Sequence, residues 1–63
     1  MGDDYGDIQR RLEVVAEEIA DLALSQLRAG AENDDKDSLA EERRLTRARR
    51  AVEKAVYLLS GSG

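Results

Sequence analysis

Ile8-Gln9-Arg10-Arg11-Leu12-Glu13-Val14-Val15-Ala16-Glu17-Glu18-Ile19-Ala20-Asp21-Leu22-Ala23-Leu24-Ser25-Gln26 is the stretch that decides the fold. Ile8, Leu12, Val15, Ile19, Leu22 and Gln26 alternate steps of four and three, the spacing that holds side chains on one face of an α-helix. Ala16, Ala20, Ala23 and Leu27 widen that stripe, so the apolar sector spans roughly 160° at about 100° per residue. Tyr5 extends the stripe backwards. The spacing therefore predicts a helix over 4–29, with Asp4 as N-cap and Asp7 placing negative charge in the positive first turn. Gly30 follows as the expected C′ residue, since glycine adopts positive φ without steric cost.

Beyond it, residues 30–37 read Gly-Ala-Glu-Asn-Asp-Asp-Lys-Asp, a polar, acidic connector. Ser38-Leu39-Ala40-Glu41 has the form of a capping box, with the Ser38 hydroxyl on the N3 amide and Glu41 reaching back. A second helix is expected over 39–60, its stripe formed by Leu45, Ala48, Val52, Ala55 and Leu59 and flanked by Ala51, Val56 and Leu58. Gly61 is the expected terminator. A short connector makes consecutive helices antiparallel neighbours. A turn centred near residue 34 sets position i opposite 68 − i, which brings Arg28 level with Glu41, Asp21 with Arg47, and Glu17 and Glu18 with Arg50. The reading is an all-α, antiparallel two-helix hairpin occupying 1–63 as a single domain, with its facing charges paired.

Size argues that the hairpin does not stand alone. The chain has 63 residues and no Cys, His, Pro, Trp or Phe, so neither a disulfide nor a thiolate or imidazole metal site can staple it. Chains this short need oligomerisation or unusually good helix packing. A sector as wide as that of the first helix exceeds the seam one neighbour can cover, and Val14 and Leu24 add apolar surface outside it. The expected solution is a homodimer forming a four-helix bundle. Its core is expected to draw on Ile8, Leu12, Val15, Ile19, Leu22 and Leu27, and on Leu45, Val52, Val56 and Leu59. A heterologous protein partner is the alternative way to cover the same surface.

The chemistry-bearing residues are few. Glu13, Glu17 and Asp21 share a face, but a bundle di-metal site needs inward-facing Glu joined by His, and the chain contains no His. Asn33-Asp34-Asp35-Lys36-Asp37 begins like a calcium loop, yet Ser38 stands where Gly is required and Arg44 where the bidentate Glu belongs. A Gly-rich phosphate loop and a nucleophile elbow are both missing. The expectation is a non-enzymatic chain with no metal and no cofactor.

Charge is uneven: net −4 overall, but −7 over residues 1–37 and +3 over 38–63. Arg43, Arg47, Arg50 and Lys54 follow steps of four, three and four and form one stripe about 16 Å long, enough to reach several phosphates or an acidic partner. Against a nucleic-acid role stand the overall acidity and the shortage of stacking aromatics, with only Tyr5 and Tyr57 present. The function expected is thus a helical interaction protein, a homodimeric adaptor or small regulator, with a nucleic-acid-binding regulator using the basic stripe as the alternative. With neither a secretory signal nor an apolar run long enough to span a bilayer, no membrane association and a cytoplasmic location are expected.

In plan and length, a hairpin that dimerises resembles the small RNA-binding repressor-of-primer proteins of plasmids, a resemblance of architecture alone that carries no residue across. The helical hairpins secreted by actinobacteria carry a Trp-x-Gly turn, where this chain has Gly30-Ala31-Glu32.

Overall fold

The computed structural model describes residues 5–61. Two α-helices, α1 (Tyr5–Asn33) and α2 (Lys36–Leu59), pack against each other as an antiparallel pair. The Cα trace measures 51 × 18 × 12 Å, a rod one hairpin thick. The N-cap expected at Asp4 lies outside the described residues.

The connector is shorter than the sequence led us to expect. Instead of eight residues over 30–37, it is Asp34 and Asp35 alone, because α1 continues through Gly30 to Asn33. Ala31, Glu32 and Asn33 present no steric barrier to helix, and a single interior glycine costs only about 1 kcal/mol relative to Ala. The residue that leaves the helix with positive φ is Asp34, at +52°. Asp35 N–H then donates to the Gly30 carbonyl at 3.1 Å, closing the end of α1 as a Schellman-type turn.

Asp35 also starts the next helix. Its backbone is extended (φ −101°, ψ 107°), and its Oδ1 accepts from the Asp37 N–H at 3.0 Å. Oδ2 accepts from the Ser38 hydroxyl, also at 3.0 Å. The capping box expected at Ser38 is therefore corrected. Ser38 is the third residue of α2 and is buried, while Glu41 accepts from Arg44 at 2.9 Å rather than reaching back. The cause is upstream. Once α1 has absorbed most of the loop, only Asp35 remains with the non-helical backbone that a cap needs. At the far end Gly61, with φ +72°, does terminate α2 and donates to the Leu58 carbonyl at 3.3 Å.

The seam is built from small residues on α1. Ala16, Ala23 and Gly30 recur every seven residues and are the buried positions of that helix. Opposite them, Ser38, Glu42, Leu45, Arg49, Val52, Val56 and Leu59 alternate steps of four and three along α2. Gly30 sets the closest approach: a Cβ there would lie 2.5 Å from Leu39 Cδ2 and 2.7 Å from its Cγ. At the open end Gln9 Nε2 donates to the Val56 carbonyl at 3.2 Å. The Gly30–Leu39 contact lies within one residue of the register expected from 68 − i, and the Gln9–Val56 bond within three.

The cross-hairpin ion pairs do not form. Among the described residues the pairs are Arg11–Asp7, Arg44–Glu41 and Arg49–Glu53, each within one helix. Register alone brings Asp21 level with Arg47, but each lies two residues, about 200°, round its helix from a seam position. Both side chains look away from the seam.

Candidate interaction surface

The hairpin has almost no interior. Among the described residues, the buried apolar ones are Ala16 and Ala23, at 5% and 8% exposure, and no large side chain is fully buried. None of the larger aliphatic residues of the expected core is buried. Leu12, Ile19, Leu45, Val52, Val56 and Leu59 are intermediate, whereas Ile8, Val15, Leu22 and Leu27 are exposed.

The exposed residues are arranged. Ile8, Val15 and Leu22 each immediately precede a seam residue (Gln9, Ala16 and Ala23), so each projects about 100° round α1 from the seam. They form one stripe and remain 43%, 39% and 56% exposed. On α2 the residues preceding the seam are Ala48, Ala51, Ala55 and Leu58. In an antiparallel pair the residues that follow the seam on both helices share one side, and those that precede it share the other. The first side is visible directly. Glu13, Glu17 and Ala20 of α1 and Arg49, Glu53 and Val56 of α2 line a shallow cavity of about 290 Å³ there. Ile8, Val15, Leu22 and the α2 alanines thus make up the opposite side, which is apolar.

Surface area gives the same answer. A folded monomer of 7.0 kDa carries roughly 4,000 Å² by the usual scaling, whereas this chain exposes 4890 Å². The excess, about 900 Å², is close to the ~800 Å² that each partner buries in a standard interface.

Two charged features accompany the apolar side. In the cavity, Arg49 Nε donates to Glu53 Oε2 at 3.1 Å beside Glu13 and Glu17. Arg49 falls in the four-three spacing of the α2 seam, and its charge is what hides that position in the sequence. Among the described residues no three carboxylates are grouped so as to hold a metal ion. On the outer side of α2, Arg43, Arg47, Arg50 and Lys54 are all exposed, and none pairs with an acid among the described residues. Arg43, Arg47 and Arg50 line a shallow groove of about 460 Å³ with Ala40, Glu42 and Thr46. Electrostatically the stripe is uncompensated, contrary to the neutralised face expected.

Neither helix is long and apolar enough to cross a membrane. No family model matches the chain, and no curated protein or solved structure matches it either. What it does has to be argued from these surfaces.

Proposed function

We propose that the chain is a non-enzymatic helical interaction protein, a homodimeric adaptor or small regulator that completes its core as a four-helix bundle. The observation that carries this reading is a hairpin whose buried apolar residues, among those described, are two alanines, beside a stripe of exposed Ile8, Val15 and Leu22. Ordering some fifty residues costs about 1.5 kcal/mol each, and a seam of alanines and incompletely buried aliphatics releases too little area from water to match it. Stacking a second hairpin on the apolar side removes the largest exposed aliphatics from solvent and converts half-buried Leu12, Ile19, Val52 and Leu59 into central layers. Reactive chemistry has little support: the side chains around the cavity are three carboxylates and one guanidinium, with no His or Cys in the chain. Sedimentation equilibrium tests the reading. It expects a 14 kDa species, about twice the 7.0 kDa of one chain, at micromolar concentration. A well-folded monomer at that concentration overturns it.

One observation favours a second reading, a nucleic-acid-binding regulator. Arg43, Arg47, Arg50 and Lys54 stand free of acidic partners among the described residues, so their charge is available to phosphates. Replacing Arg43, Arg47 and Arg50 with Gln separates the readings. Binding to duplex DNA or RNA that is lost in the variant, with a salt slope lower by about one for each contact removed, supports the second. No sub-micromolar binding at physiological salt by the unmodified chain supports the first.

A further inference from the structure

The apolar side changes character along its length. Toward the open end it carries Ile8, Val15 and Leu22 on α1, facing a column of alanines on α2. Toward the connector the same angular positions are held by Ala29 and Glu41, with Gln26 about 40° nearer the seam. Two copies can stack these sides about a twofold axis in two ways. With the axis along the helices, both connectors lie at one end and the sides overlap completely. That arrangement draws both Glu41–Arg44 ion pairs into the bundle, where charges withdrawn from water are costly. With the axis across the helices, the connectors lie at opposite ends and the overlap is partial.

We infer that a second copy of the chain covers this side in the second arrangement, with the twofold axis passing beside Val15. The inference rests on the homodimer reading above and adds its geometry. An axis at Val15 sets position i of α1 opposite 30 − i of the other α1. Val15 then meets Val15, and Ile8 meets Leu22 at both ends. The stripe is self-complementary because its three members are evenly spaced about the axis. Gln26 and Glu41 fall beyond the overlap and keep their water. Charge agrees: Arg11 and Glu18, seven residues apart on the outer edge of the stripe, come within one residue of level across the axis in two symmetric pairs, where Arg11 can reach Glu18 of the other copy as well as Asp7 of its own helix. The same axis passes level with position 53 of α2, so Ala51 meets Ala55 and Ala48 meets Leu58 of the other copy, and the small side chains let the two α2 helices approach closely. The surface available for such burial is the excess of about 900 Å² over a compact 7.0 kDa chain.

The chain has no cysteine, so Val15→Cys introduces a single thiol for a crosslinking test on the full chain. Under mild oxidation in native buffer, this variant is expected to link to itself rapidly, and Leu24→Cys, on the cavity side, is not. A second test uses charge. Arg11→Glu and Glu18→Arg are each expected to raise the dimer dissociation constant roughly tenfold, because every change is felt twice. Their combination restores it to within about threefold. Suppose sedimentation shows a dimer, Val15→Cys fails to link alone, and a mixture with Ala51→Cys links instead. The connectors then lie at one end and this inference is overturned while the dimer reading stands. A dimer in which the double charge swap gives no rescue also overturns the inference. A monomer in sedimentation overturns the dimer reading itself.

Discussion

Gly30 offers a substitution whose sign depends on one neighbour. In an exposed helix interior, Gly→Ala stabilises by about 1 kcal/mol, since glycine gives up more backbone freedom on folding. Here the added Cβ would stand 2.5 Å from Leu39 Cδ2, 2.7 Å from Leu39 Cγ and 3.3 Å from the Asp35 carbonyl oxygen. Cγ is not the mobile end of a side chain, and the carbonyl accepts the Leu39 N–H of α2 at 3.2 Å, so neither can give way freely. Overpacking of this kind costs about 1–3 kcal/mol. Gly30→Ala in the unmodified chain is therefore expected to destabilise by about 0–2 kcal/mol. In a Leu39→Ala background the side-chain clash is gone and only the 3.3 Å contact with the Asp35 carbonyl opposes the propensity gain, so the same change should be about 1 kcal/mol or more less destabilising than in the unmodified chain. Urea unfolding followed by far-ultraviolet circular dichroism at fixed protein concentration reads all four corners of the cycle. With m near 1 kcal/mol per molar for so small a chain, the expected shifts approach 1 M. Two results would refute the reasoning. Stabilisation by Gly30→Ala in both backgrounds would mean the helices are not in contact at the turn. Equal loss in both would mean that Gly30 sits at positive φ outside the helix.

Other expectations follow from the turn and the seam. Asp35→Ala removes the acceptor for the Asp37 amide and the Ser38 hydroxyl and should cost about 0.5–2 kcal/mol. Ser38→Ala, which leaves the amide bonded, should cost clearly less, and an equal or larger loss in urea unfolding would restore Ser38 as the cap. Asp34→Gly should raise stability by about 1 kcal/mol, because glycine accepts the left-handed backbone at φ +52° and removes a carboxylate from the negative end of α1; a lower unfolding midpoint would contradict the turn. Ile19→Asp puts a charge at a half-buried position between the seam and the apolar stripe and should abolish folding. Full helicity in that variant would show that this sector faces solvent.

Helix formation, handed faces and antiparallel order were all legible in the sequence, because they depend on local spacing. The four-three steps from Ile8 to Gln26 and from Leu45 to Leu59 can only place apolar side chains on one face of a helix, and Gly61 could be read as a stop from its own backbone freedom. The turn was not legible in the same way. Gly30 carries the local signature of a helix end and Ser38 that of a helix start, and each is overridden by an event across the hairpin: Leu39 fills the space at Gly30, and Asp35 takes the capping role. Local propensity at such sites is worth about 1 kcal/mol, and a packed contact outweighs it. Tertiary structure alone also decided which part of the wide sector on α1 meets α2. Any edge of a 160° sector could serve as the seam by periodicity, but the smallest side chains, Ala16, Ala23 and Gly30, allow the closest approach of the backbones. That choice leaves Ile8, Val15 and Leu22 on the outside. Charge followed the same logic, since sequence register set acids level with arginines while the rotation of each helix about its own axis turned them apart.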